Sequence, residues 1–334
     1  MLNHKMNTQI QDQSYLSLSW SDTIKEELSL VERRLLEKQP GQNPLLHATI
    51  KGLFDAGGKR VRPSLCILTA KLFKADINQT VSLAASVEML HTGTLVHDDL
   101  IDGSLIRRGS PTLNSLWSSD IAVLVGDYMF ARAASLVAEV EIIPVMKLFS
   151  KTLEIILNGE ITQKYSKWEI DRQAYNERIF SKTAALFVLA TQSVSMLAGA
   201  RESDQTSMIK FGHNIGMAFQ IVDDVLDYVG MSEKVGKPLG SDLSQGIFTL
   251  PAILFAENHP NDDDINTLIM TKEADPSIIQ RLIYKITNSG AIEESLTEAM
   301  DLLNFAKDEL SFLPSSIYKD SILDLAEQLV VRDM

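Results

Sequence analysis

The chain has 334 residues, 45% of them hydrophobic and 22% charged, and a net charge of −13. That is enough chain for one large domain or two modest ones around a substantial core, and the acidic balance excludes a general nucleic-acid-binding surface. The single cysteine, Cys66, excludes an internal disulfide and suits a reducing cytoplasm.

In chain order, residues 1–18 are polar and rich in Gln and Asn. They have neither the apolar h-region nor the arginine run of a targeting segment, so a flexible N-terminus on a cytoplasmic protein is expected. No window reads as the ~20 apolar residues of a membrane span. Ile24, Leu28, Val31 and Leu35 form one helical stripe, with Ser21 as N-cap and Pro40-Gly41 as stop. Asn43-Pro44 supplies the N-cap and first position of a second helix, which Gly57-Gly58 ends. Met208, Phe211, Ile215, Phe219, Val222 and Leu226 make a later stripe closed by Gly230. Strand-like alternation is scarce, and no linker divides the chain. The pattern predicts a single all-α domain over residues 1–334, with roughly ten to thirteen helices.

Three groups of residues carry chemistry. Gly57-Gly58-Lys59-Arg60-Val61-Arg62-Pro63 sets three cations beside a double glycine that lets backbone approach an anion. Arg62 offers a planar fork to phosphate oxygens and Lys59 a point charge. Asp98-Asp99-Leu100-Ile101-Asp102 and Asp223-Asp224-Val225-Leu226-Asp227 each place two carboxylates one helical turn apart on one face. His91 precedes Asp98 by almost two turns, and Gln220 lies three residues before Asp223 on the same side. Like charges at this spacing repel unless a cation sits between them. Mg²⁺ prefers oxygen ligands and shares its shell between one or two carboxylates, water and substrate phosphate. Both clusters lie in apolar helix, where bare carboxylates are costly. A loop with cations follows each: Gly103 to Ser115 with Arg107-Arg108, and Gly230 to Gly246 with Lys234 and Lys237.

Together with Gly126-Asp127-Tyr128, Lys182-Thr183 and Gly236-Lys237-Pro238, these motifs resemble the trans-polyprenyl diphosphate synthases, strongly from Gly57 to Pro251. The resemblance implies a helical fold around a deep central cavity, a homodimer, and condensation of isopentenyl diphosphate with an allylic prenyl diphosphate. It implies Mg²⁺ ligation by Asp98, Asp102 and Asp223, assisted by Asp99, Asp224 and Asp227. Arg107, Lys182, Thr183, Gln220 and Lys237 would hold the allylic diphosphate. Lys59, Arg62, His91 and Arg108 would hold that of isopentenyl diphosphate. Of these, Asp98, Asp102, Lys182, Asp223 and Lys237 are the catalytic candidates. Membrane contact is expected only through release of an apolar product.

Many short-chain members of the family carry a lysine near Ile247, where isoleucine removes one phosphate contact and points away from a farnesyl-type enzyme. Gly93 and Thr94, where farnesyl-type members often place an aromatic ring, are small. With Leu90 and Val87 deeper on the same helix, they would line a tunnel for a product longer than C20, with Phe130 or Phe149 as candidates for its floor. The alternatives are a short-chain farnesyl or geranylgeranyl synthase, a class I terpene cyclase, and a non-catalytic prenyl-diphosphate-binding subunit. The cyclase needs no second diphosphate site, and the subunit would have lost aspartates that this chain keeps.

Overall fold

Short polar side chains start many of the helices. Asn43 accepts from Leu45 N at 2.8 Å ahead of Pro44 at the first turn, and Asp76 accepts from Gln79 N at 2.9 Å. These caps satisfy amide donors that a helix start leaves open. The computed structural model describes residues 19–107, 109–230 and 239–331. Among them are thirteen helices of seven or more residues, with Arg172–Leu197 counted as one rod, and a few single turns. The chain is all-α, and its sheet is a two-residue antiparallel pair, Ile106–Arg107 with Ser110–Pro111.

The first helices depart from the expected cap. A single turn, α1 (Trp20–Thr23), precedes α2 (Lys25–Leu35), so Ser21 lies inside a helix. Ile24 leaves helical geometry between them and is fully buried. Trp20 Nε1 meanwhile donates to Gln328 at 2.9 Å, which fixes the entry of the chain on the last helix. Burying Ile24 and anchoring Trp20 outweigh the continuity of one helix.

α3 (Pro44–Asp55), α4 (Val61–Phe73) and the 25-residue α5 (Ile77–Ile101) follow. α5 packs on α4 and on α7 (Ser119–Ala138), which comes after the one-turn α6 (Leu113–Leu116). α8 (Ile143–Tyr165) leads to α9 (Arg172–Ile179), a π turn at Phe180–Ala184, and α10 (Ala185–Leu197). The 28-residue α11 (Glu202–Val229) packs between α10 and a later helix, Ala291–Glu309. Its contact with α10 is close because Gly212 and Gly216 lie in it. A Cβ at Gly216 would stand 2.6 Å from Ala184 Cα.

Ser119–Ala138 and Arg172–Leu197 are, by length and composition, apolar enough to cross a membrane, contrary to the sequence expectation. Asp127, Arg132 and Arg178 interrupt their apolar runs, so neither helix is an unbroken apolar stretch in the sequence. Arg172–Leu197 is largely interior, its most apolar window 72% buried, whereas that window of Ser119–Ala138 is 39% buried.

Candidate active site

α5 and α11 both end at one cavity of about 570 Å³, and each carries an aspartate cluster in its last turns. The C-terminal end of a helix bears partial negative charge. Carboxylates placed there raise the negative potential further, and such a site favours cations. Asp98, Asp102, Asp223 and Asp224 line the cavity. Among the described residues, no three acidic or histidine side chains converge closely enough to hold a metal unaided. The donors are hard oxygens all the same, which fits an ion that completes its shell with water and substrate oxygens.

Burial, reinforced by the charge of Glu160, pushes the Asp98 carboxyl up to about 6. Burial also lifts Asp224 to about 8, with Asp242 adding repulsion. Asp224 is held on both oxygens: Tyr175 donates its hydroxyl at 2.8 Å, and Gln220 donates its amide at 2.8 Å. Thr183 donates to the Gln220 carbonyl oxygen at 2.6 Å, which fixes the amide's orientation. This chain of bonds ties the π turn to α11. Lys182, on the same turn, lies 3.7 Å from Glu160. Burial would lower its pKa, but Glu160 and Asp98 together hold the ammonium above its ordinary value.

The other two aspartates turn elsewhere. Asp99 is buried and accepts from Arg107 Nε at 2.7 Å, so it braces that arginine at the cavity wall. Asp227 accepts from Ser241 N and Asp242 N at 3.2 and 3.1 Å, which anchors the segment that follows.

The same cavity is also lined by Lys59 and Arg62, around the start of α4, and by His91 of α5. Gly57, Gly58 and Arg60 all take positive φ, so the chain reverses sharply and α4 begins at the cavity. The N-terminus of a helix favours anions. Arg60 bonds Glu32 at 2.5 Å and the Phe54 carbonyl at 2.9 Å, and so braces the turn. The Arg62 guanidinium lies 5.0 Å from the centre of the Phe187 ring, which packs on Phe219 of the cavity.

Thr94 lines this cavity and also an apolar one of about 270 Å³ that contains Phe130, Ile156 and Leu157. Gly93 packs on α7: a Cβ there would be 2.9 Å from Phe130 Cε1. Leu90 and Val87 are fully buried in the core, and Phe149 is buried at 3% exposure. Gly126, one of the motif glycines, admits the His97 ring, which would stand 2.1 Å from a Cβ. Arg108 and Lys237 lie outside the described residues.

The site also holds groups that the sequence pattern did not single out. Tyr175 stands seven residues before Lys182, two turns back on the same helix, and that spacing was a usable signal. Glu160 and Lys164 carry no such signal, because α8 meets α5 only in three dimensions. Lys164 reaches Asp102 at 3.3 Å. Arg178 and Gln163 also line the cavity.

The family model for polyprenyl synthetase matches residues 43–286. The heptaprenyl diphosphate synthase component 2 of Geobacillus stearothermophilus is 36% identical over 315 residues, covering 93% of this chain and 97% of the relative. The geranyl-diphosphate-specific all-trans-nonaprenyl-diphosphate synthase of Rhodobacter capsulatus is 35% identical over 314 residues, 92% and 96% of the two chains. A polyprenyl synthase from Caulobacter crescentus, crystallised with calcium and isoprenyl diphosphate, superposes with a TM-score of 0.88 at 31% identity. That match covers 94% of this chain and 97% of the other. Two aspartate-bearing helix ends and a basic helix start lining one cavity, in a fold and sequence matched along nearly the whole chain, place this protein in the polyprenyl synthetase family, as a trans-polyprenyl diphosphate synthase.

Proposed function

We propose that the enzyme extends an allylic diphosphate with isopentenyl diphosphate to a product longer than C20, using Mg²⁺ and acting as a homodimer. The observation that carries the chain length is the small side chain at Thr94, since the space beside Gly93 is taken by Phe130. Thr94 borders both the catalytic cavity and the apolar one beside Asp98, leaving a route for hydrocarbon away from the charges. Relatives named for heptaprenyl and nonaprenyl products support this reading.

Lys182, Thr183, Gln220 and Arg107 hold the allylic diphosphate, with Lys237 as a fifth group. Lys59, Arg62 and His91 hold the diphosphate of isopentenyl diphosphate, with Arg108. Asp98, Asp102 and Asp223 would ligate Mg²⁺, which when bound supplies positive charge to the departing diphosphate. Fixed cations around the leaving group need no reorganisation as charge develops, so they favour the transition state over the bound substrate. The two diphosphate sites orient the allylic carbon towards the isopentenyl double bond. The departing diphosphate takes up the proton that is lost, and no side-chain base is required.

The test is product analysis of the purified chain with isopentenyl diphosphate, separate allylic primers and Mg²⁺. Isopentenyl diphosphate should be consumed to an all-trans chain beyond C20, and excess EDTA should stop turnover. Thr94→Phe should shorten the product towards C15–C20 while sparing the first condensation. A wild-type product of C15, or an unchanged length in the variant, would overturn the chain-length reading.

The homodimer reading rests on the mouth of the apolar cavity. Val123 of α7 and Leu157 of α8 line it and are 41% and 44% exposed, and Leu124 and Ile161 stand exposed on the same two helices. A second copy on this face would cover them.

A further inference from the structure

Arg178 has the geometry of a diphosphate ligand. It lies on α9, one turn before Lys182, and lines the catalytic cavity together with Lys182, Gln220 and Ile247. Its Nη2 donates to the Phe248 carbonyl at 2.6 Å. Its guanidinium carbon sits 5.3 Å from the centre of the Tyr175 ring, whose hydroxyl holds Asp224. Phe248 follows Ile247 directly, so the arginine is docked beside the apolar residue that cannot contact phosphate.

Two other arginines at this cavity, Arg60 and Arg107, differ in one respect. Arg60 is held by Glu32, and Arg107 by Asp99. Among the described residues, Arg178 is held by a neutral carbonyl and an aromatic face, so its charge is not cancelled by an ion pair. A guanidinium has five N–H donors in a fixed fork, and one bond to Phe248 leaves donors for an anion. The carbonyl and the ring fix its plane, which lowers the entropy cost of using the remaining donors. A half-buried cation of this kind, in a cavity built for anions, gains most from a ligand that brings phosphate oxygens.

Resting on the reading of function above, we infer that Arg178 is a further binding residue for the allylic diphosphate and supplies the positive charge that Ile247 lacks. The allylic site is assigned because Arg178 shares the Arg172–Leu197 rod with Lys182 and Thr183, whereas Lys59 and Arg62 sit around the start of α4.

The test is Arg178→Met, which keeps much of the apolar stem and removes the charge. The KM for the allylic diphosphate should rise about tenfold to a hundredfold, the range for one lost charge-assisted contact. The KM for isopentenyl diphosphate should stay within about twofold. Arg178→Lys should recover part of the loss. Adding Ile247→Lys to Arg178→Met should return the allylic KM most of the way, because it restores a cation at the neighbouring position. A purely structural role predicts instead a lower Tm, a parallel rise of both KM values, and no rescue by a lysine at 247. Either that pattern or an allylic KM within twofold of wild type would overturn the inference. Binding of a non-reactive allylic thiolodiphosphate, read by calorimetry with Mg²⁺ present, gives a readout independent of turnover. An enzyme that ignores isopentenyl diphosphate but loses analogue affinity on Arg178→Met would sink the proposed reaction and keep the role of Arg178.

Discussion

Tyr175 and Gln220 each give Asp224 a hydrogen bond, and both favour its carboxylate form, yet burial holds the group near 8. A carboxyl whose folded pKa exceeds its ordinary 3.8 binds more protons in the folded chain than in the unfolded one. Its contribution to stability is therefore full below about 4 and is lost as pH rises through about 8. Asp98 acts in the same direction up to about 6. In EDTA, the Tm followed by circular dichroism should fall by several degrees between pH 5 and pH 8, and Asp224→Asn should flatten most of that slope. Mg²⁺ binds the deprotonated ligands, so its addition should reduce the fall as well. A Tm independent of pH in EDTA would contradict the burial argument. Tyr175→Phe removes one of the two donors. It should cost about 1–3 kcal/mol of stability, measured by urea unfolding, and should raise the allylic KM through the bonded path from Asp224 to Gln220 and Thr183.

Among the elements, the contact between α11 and the π turn sets the distance from Gln220 to Thr183. Gly216→Ala would put a Cβ 2.6 Å from the Ala184 backbone, which has no flexible end to yield. Overpacking of this kind costs about 1–3 kcal/mol, and it should also raise the allylic KM because the Lys182–Thr183 turn moves. Gly52→Ala on α3 is the contrast: nothing lies within 4 Å of its Cβ, so the same change should add about 0.5–1 kcal/mol, by the same unfolding measurement. Helical periodicity made these elements legible in the sequence. Asp98 and Asp102, four residues apart, both line the cavity, because a helix repeats its direction nearly every turn, whereas Asp223 lines it and Asp227 does not. The partners of the remaining aspartates were not legible. Asp99 points about a quarter turn from Asp98 and finds Arg107 through a loop, and Asp227 finds amides 14 and 15 residues further on. Such pairings depend on how the chain returns to the helix, and local periodicity carries no record of that.

For the whole molecule, the apolar face of α7 and α8 decides whether the catalytic unit is one chain or two. A large exposed apolar area is unusual for a monomer and marks an interface. Val123, Leu124, Leu157 and Ile161 stand on these two helices, and Val123 and Leu157 form the mouth of the cavity that Thr94 opens into. The wild-type chain should therefore elute in multi-angle light scattering at twice its 37.1 kDa mass. Leu124→Glu with Ile161→Glu places two charges on that face, and a charge buried in an interface without a partner is strongly unfavourable. The double variant should run as a monomer while retaining its helical circular dichroism. Because its cavity mouth would then face water, growing hydrocarbon would lose its apolar surroundings at about 25 cal/mol per Å² of exposed surface. Products should shorten, with early condensations least affected. A wild-type monomer that makes full-length product would remove both the dimer and its role in chain length. A monomeric variant with unchanged products would separate the two and place the whole tunnel within one chain.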